Sequence, residues 1–200
     1  MYPFLENGTL KDKLNELDGQ ERLKIMKSIA VGIQHIHTFH EKSNPPAKSP
    51  YVHRDIKPSN ILLDNQNVPK ICDFGLLRHG STGDEKIMDK TKIVRGTQAY
   101  MPPEANRGDV STKWDVWSWG VVLVEVVSGL PVTDDAREDP DLVSYFQGQM
   151  ADSDDRPLDL LNANWDVEIG MQSFGIADRC LETVKQRPTM TKILEDFSNL

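Results

Sequence analysis

The strongest constraint on this 200-residue chain is a pair of short motifs with two strand-like runs between them. His53-Arg54-Asp55-Ile56-Lys57-Pro58-Ser59-Asn60 comes first, and Asp73-Phe74-Gly75 begins thirteen residues after Asn60. Between them lie Ile61–Leu63 and Pro69–Cys72, separated by Asp64-Asn65-Gln66-Asn67. A polar turn of that kind between two apolar runs reads as a hairpin. The hairpin would return Asp73 to the neighbourhood of Asn60 and Asp55. Either motif alone could be chance; in this order and spacing, with a hairpin between, they are specific.

The rest of the chain reads as mainly α. Leu23, Met26, Ala30, Ile33 and His37 recur at helical spacing, predicting a helix from about Gln20 to Phe39 with one buried stripe. A shorter helix is expected near Thr9, with Leu10, Leu14 and Leu17 inward. Trp114 to Val127 is apolar nearly all round, which predicts a buried central helix stopped by Gly129 and Pro131. Two more helices are expected near Glu168–Leu181 and Thr189–Phe197. Glu41 to Pro50 reads as an exposed loop, and residues 75–99 as a long irregular stretch of the kind that carries function.

The net charge of −8 argues against a nucleic-acid partner. Nearly all of the excess lies between Asp134 and Asp159, as nine acids against two arginines. That stretch reads as a solvated loop and helix face, with an acidic docking surface as the alternative. No apolar run is long enough for membrane insertion, and the first residues do not read as a signal peptide. Cys72 and Cys180 form no disulfide or metal framework, which suits a reducing, cytoplasmic setting. His35, His37 and His40 do not share a face, so they are not read as a metal site.

Phosphoryl transfer from ATP needs an acceptor hydroxyl held in line and cations to carry the phosphate charge. Asp55 can accept the hydroxyl proton, and Lys57 can reach the transferred phosphate. Asn60 and Asp73 offer hard oxygen ligands suited to Mg²⁺.

Here the chain resembles the protein kinase superfamily over essentially its whole length. Met101-Pro102-Pro103-Glu104 stands where the family has Ala-Pro-Glu, with proline in place of alanine. Trp114-Asp115-Val116-Trp117-Ser118-Trp119-Gly120 looks like the start of the family's central helix, and Gln186-Arg187-Pro188 like its C-terminal signature. Stretches such as Asn7-Gly8-Thr9-Leu10, Gly96 to Met101 and Ser128-Gly129-Leu130-Pro131 are most similar to interleukin-1 receptor-associated kinases and their Pelle relatives. Plant receptor-like kinases share several of them. The fold implied is a kinase-like C-terminal lobe with a small β-hairpin, spanning 1–200 as a partial kinase domain without its N-terminal β-lobe.

The resemblance implies further roles. Tyr2 would be the gatekeeper, and Pro3 to Leu5 the hinge, with the Leu5 backbone facing adenine. Leu62 would floor the nucleotide site, Asp12 would sit at its mouth, and Ser59 would lie beside it. Asp115 would bind the backbone of the catalytic loop, Glu104 would pair with a buried Arg187, and His53 and Phe74 would stack in the core. Lys57 and Thr97 match the Ser/Thr pattern, with Thr97 positioning the substrate. Arg54 would receive an activation-loop phosphate, for which Thr91, Thr82 and Ser81 are candidates. Thr91 could equally be a plain loop threonine, and Arg95 looks like a one-residue insertion before Gly96. Cys72, next to Asp73, reads as a buried inert thiol, with a reactive cleft thiol as the alternative.

A protein Ser/Thr hydroxyl as acceptor and a receptor-adaptor complex in innate-immune signalling follow from the same likeness. No glycine-rich phosphate loop and no strand lysine of the Val-Ala-Ile-Lys type occur in these residues. The polypeptide by itself is therefore expected to be inactive. It reads as part of an active kinase, or alternatively as a one-lobe binding module or decoy.

Overall fold

The computed structural model describes residues 5–39, 50–81, 95–152, 161–162 and 165–200. Six α-helices and two small antiparallel sheets are built from them. The helices are α1 (Leu10–Lys13), α2 (Gly19–Thr38), α3 (Thr112–Ser128), α4 (Leu142–Asp152), α5 (Val167–Cys180) and α6 (Met190–Phe197). The strands are β1 (Tyr51–Val52), β2 (Ile61–Leu63), β3 (Pro69–Ile71) and β4 (Arg78–His79). This is a helix-rich lobe of the kinase C-terminal type.

α3 is the axis. Every residue from Thr112 to Ser128 is buried. Gly129, at φ 71, supplies the left-handed residue that stops the helix. α5 lies along it, and the approach is close at Gly120, where an added Cβ would stand 2.6 Å from the Cβ of Cys180. Glycine is what lets these two helices come together.

α2 starts at Asp18, which accepts from the Glu21 nitrogen at 2.8 Å, while Glu21 accepts from the Asp18 nitrogen. This reciprocal cap fixes the start of the helix. Its inward face is Ile25, Met26, Ile29, Ala30 and Ile33; Leu23 is only half-buried. Arg22 joins that face. It is 1% exposed, and its guanidinium donates to the carbonyls of Leu14, Leu17 and Val126. Three carbonyls at or near helix ends satisfy the fork, so this cation staples the end of α1, the start of α2 and the end of α3 together.

The β2–β3 hairpin pairs Ile61 with Ile71 and Leu63 with Pro69. Asp64 closes its turn by accepting from the nitrogens of Gln66 and Val68. The chain before α1 docks on the hairpin's other edge: Leu63 donates to the Gly8 carbonyl, and the Asn7 amide donates to the Asp64 carbonyl. The second sheet, β1 with β4, pairs Val52 with Arg78 and Tyr51 with His79. It ties the segment before His53 to the segment after Asp73.

Candidate active site

The loop His53–Lys57 is held from below by Asp115, in the first turn of α3 and fully buried. Its carboxylate accepts the backbone N–H of His53 and of Arg54, each at 2.8 Å. The Nε2 of His37 lies 2.9 Å from the same carboxylate. Arg54 adopts φ 74, a left-handed conformation that a side chain resists. Two charge-assisted hydrogen bonds to Asp115, whose anion the positive end of the α3 dipole favours, hold the loop in that shape.

The Asp55 carboxylate is the centre of the polar network. Thr97 donates to it through its hydroxyl at 2.9 Å and its backbone N–H at 3.2 Å. The Lys57 ammonium lies 2.9 Å from Asp55 Oδ2 and 2.7 Å from Thr97 Oγ1. The Asn60 amide donates to both the Asp55 side chain and its carbonyl. Burial by itself raises the Asp55 pKa, but the hydrogen bonds from Lys57, Thr97 and Asn60 outweigh it and hold the carboxyl below its ordinary value. An ionised carboxylate is thus fixed beside a lysine and a hydroxyl, which suits the acceptance or orientation of an alcohol proton.

The hairpin brings the second motif back. The Cys72 nitrogen donates to the Asn60 carbonyl at 2.9 Å, which sets Asp73 next to the loop. His53, fully buried, lies 3.1 Å from the Cys72 carbonyl through Nε2. Asp73 itself is exposed, at φ 61, and accepts from the Gly75 nitrogen. With the Asn60 NH₂ committed to Asp55, the Asn60 amide oxygen is left to face elsewhere. That oxygen and the exposed Asp73 carboxylate are a donor set that fits Mg²⁺.

The outer residues divide. Leu62 is half-buried in β2 and bridges to Thr9. Leu5 is half-buried, and its carbonyl accepts from Gly8. Asp12 is exposed and is held below its ordinary pKa by the Thr9 hydroxyl and backbone N–H that it accepts from. Ser59 is exposed. Glu104 meets Arg187 at 2.6 Å; Arg187 is 1% exposed and Glu104 remains partly open. Cys72 is half-buried, and burial together with Asp73 pushes its thiol above the ordinary value, which disfavours a reactive thiolate.

Two expectations need correction. Phe74 does meet the His53 ring edge-on at 5.0 Å, but it is 39% exposed rather than in the core, because no described residue covers its outer face. Ser81 is buried, and its backbone is bonded to Val110 and Thr112 on both sides, so it is not presented for modification. His37 keeps its place on the inward face of α2, its side chain 8% exposed and turned to Asp115. Tyr2, Pro3, Thr82 and Thr91 lie outside the described residues.

One basic group was not legible. Arg54, 3% exposed and stacked over Trp114 at 5.1 Å, has Arg78 and Arg95 as electrostatic neighbours. Burial first, then Arg78, pushes the Arg54 guanidinium below its ordinary pKa. Only the β1–β4 pairing, two residues long, brings Arg78 here. Five residues past Asp73 in an irregular stretch, it carries no sequence signal.

Comparison with known proteins agrees with this geometry. The family model described as protein kinase domain matches residues 1–197. The chain is 34% identical over all of its length to receptor-like kinase LIP2 of Arabidopsis thaliana, covering 37% of that protein. It is 34% identical over 97% of its length to "Probable serine/threonine-protein kinase PBL23" of the same plant, covering 52% of it. It is 31% identical over all of its length to receptor protein kinase WSS1 of Oryza sativa subsp. japonica, covering 23% of it. The chain thus spans between about a quarter and about a half of these relatives. A catalytic-type loop, a returning acidic motif and a family match over nearly every residue lead to one conclusion: the chain belongs to the protein kinase domain family.

Proposed function

We propose that the protein carrying this chain transfers the terminal phosphoryl group of ATP to serine or threonine hydroxyls of proteins. The observation that carries this is the Asp55 carboxylate, ionised and clamped between Lys57, Thr97 and Asn60. Asp55 accepts the acceptor's proton and aims its oxygen. Lys57, once Asp55 turns to the substrate, carries phosphate charge. Thr97 bridges the two and aligns the incoming chain, in the position where Ser/Thr-directed kinases place it. Asn60 and Asp73 hold Mg²⁺, which when bound neutralises the charge of the phosphates. Leu5, Asp12, Ser59 and Leu62 border the nucleotide.

The regulatory part of the proposal is a phosphorylated Thr91 taken up by Arg54, with Arg78 as a second cation. Signalling from a receptor, through an adaptor complex and on the cytoplasmic side, belongs to the same reading. Its supports are the receptor-like names of the relatives and the likeness to receptor-associated kinases of innate immunity. No helix among the described residues is long and apolar enough to cross a membrane.

The test is phosphate transfer from labelled ATP to a generic protein substrate by the complete protein. Asp55→Asn should lower kcat by about 10²–10⁴ while leaving the thermal transition in place. A variant that keeps the wild-type rate would overturn the assignment of Asp55.

A further inference from the structure

One side chain clips the segment ahead of α1 to the turn of the β2–β3 hairpin. Asn7, half-buried, donates one amide hydrogen to the Asp64 carbonyl at 2.8 Å and the other to Asn67 Oδ1 at 3.0 Å. A carbonyl can only accept, so Asp64 fixes which end of the Asn7 amide points at the turn. The same carbonyl takes the Asn67 backbone N–H at 2.9 Å. Asn67 sits at φ 59, a conformation that asparagine tolerates better than most residues. Its own NH₂ points on toward Glu21 Oε1 at 3.4 Å, and the other oxygen of Glu21 accepts the Asp18 nitrogen in the α2 cap. Two amides thus run in line from the chain before α1, through the hairpin turn, to the start of α2.

What this latch holds follows from chain order. Leu63 donates to the Gly8 carbonyl, and Leu62 bridges to Thr9, so the chain is fixed on β2 from Gly8 onward. Leu5 lies ahead of that point, two residues before Asn7. Among the described residues, the hydrogen bonds that join the chain ahead of Gly8 to the hairpin are those of the Asn7 side chain. The Gly8 nitrogen reaches the Leu5 carbonyl at 3.4 Å, but that bond lies within the segment itself. The placing of Leu5 against Leu62 therefore depends on Asn7.

We propose that Asn7, with Asn67 as its partner, is a positioning residue for the nucleotide: the pair sets the Leu5 backbone against the Leu62 side chain at the spacing a bound adenine needs. The inference rests on the proposed kinase function and deepens it at the nucleotide site. A flat ligand held between two elements binds when their spacing matches it. Freeing one of them leaves a fraction of the molecules competent, and the apparent affinity falls by that fraction. The Asn7 bonds do not involve Asp55, Lys57 or Thr97, so the latch acts on nucleotide binding and not on the transfer step.

The test is ATP binding and turnover by the complete protein, with a fluorescent ATP analogue and Mg²⁺ as the binding probe. Asn7→Asp keeps the size of the side chain but aims a carboxylate at the Asp64 carbonyl with no hydrogen to share. It should weaken analogue binding and raise KM for ATP about fivefold or more. Its kcat at saturating ATP should stay within about twofold of wild type. Asn67→Gly adopts φ 59 without strain and lacks the Oδ1 acceptor, so it folds and should weaken binding about twofold. Gly120→Ala, packed against Cys180 and away from the hairpin, should lower the melting temperature and leave KM for ATP at the wild-type value. That contrast separates positioning from a loss of stability. Wild-type KM for ATP in Asn7→Asp, or a fall in kcat with KM unchanged, overturns the inference and leaves the kinase reading standing. A wild-type protein that binds the analogue but transfers no phosphate overturns the kinase reading, and the analogue affinities of the two asparagine variants still decide the latch. A wild-type protein that binds no analogue overturns both.

Discussion

The carboxylate of Asp115 stands 2.8 Å from the backbone nitrogen of Arg54, a residue held at φ 74. The same carboxylate takes the N–H of His53 through its other oxygen. A left-handed non-glycine residue costs of order 1–3 kcal/mol and persists where its surroundings fix it. Here a buried anion in the first turn of α3 fixes it, and Asp55 is the next residue. The loop geometry is therefore set from the core.

Asp115→Asn removes the charge and puts an NH₂ group against one of the two backbone donors. That leaves a buried N–H unpaired, at about 1–3 kcal/mol. Urea unfolding should show a loss of that size. A loss within about 0.5 kcal/mol, as for a surface change, would contradict the role given to Asp115.

Two glycines should respond in opposite directions. At Gly120 a new Cβ would sit 2.6 Å from the Cβ of Cys180, a position that cannot swing away. Overpacking of that kind costs about 1–3 kcal/mol, which exceeds the helix preference of alanine. At Gly148, in α4, nothing lies within 4 Å of the added atom. Gly120→Ala should lower the unfolding free energy, and Gly148→Ala should raise it by about 0.5–1 kcal/mol. Equal signs would contradict the close α3–α5 approach.

Arg187 donates to Glu104 and to the carbonyls of Lys113 and Glu182, with its guanidinium over the Trp117 ring at 4.9 Å. Replacing Arg187 by alanine strands Glu104 and empties a packed site, at about 3–5 kcal/mol. Glu104→Gln keeps the shape and leaves the carbonyl bonds, so it should cost less. Lysine cannot span these partners, and Arg187→Lys should fall nearer to alanine than to wild type. A benign Arg187→Lys, read by thermal melts, would contradict this.

Glu125 gives a pH signature. It is buried and accepts from the Tyr100 hydroxyl at 2.8 Å. Burial pushes its pKa above the ordinary 4.5, against the Tyr100 hydrogen bond, Lys11 and a Val132 N–H, which all favour the anion. The folded state then holds the proton more tightly than the unfolded state does. Its contribution to stability is full at low pH and is lost as pH rises from the ordinary value through the raised one. Glu125→Gln removes that dependence. The stability of Glu125→Gln relative to wild type should grow as pH rises above the ordinary carboxyl value in urea titrations. A flat difference would show that Glu125 titrates normally.

The β2–β3 hairpin and the ends of α3 were legible because they rest on local chemistry: a polar turn between apolar runs, and an apolar segment closed by Gly129. That Asp55, Lys57 and Asn60 meet, with Asp73 returned beside them by the hairpin, was legible from their spacing. What was not legible depends on distant partners. Arg22 reads as a surface arginine until the three carbonyls around it are seen. α4 lies in the acidic stretch, where charge masks the buried Leu142, Val143 and Phe146. β1 and β4 are too short to show a period, so the placing of Arg78 beside Arg54 could not be foreseen. The exposure of Phe74 follows from what covers it, which its own residue type does not encode.

The central claim is that Asn60 and Asp73 hold one metal beside Asp55. The direct measurement is paramagnetic broadening of the Asn60 side-chain NH₂ signals when Mn²⁺ and ATP are added to isotopically labelled protein. The account predicts strong broadening of that pair, with the NH₂ signals of Asn162 and Asn199 unaffected, and its loss in Asp73→Asn. An Asn60 signal that stays sharp while Mn²⁺ and ATP are bound, or broadening that persists in Asp73→Asn, would contradict it.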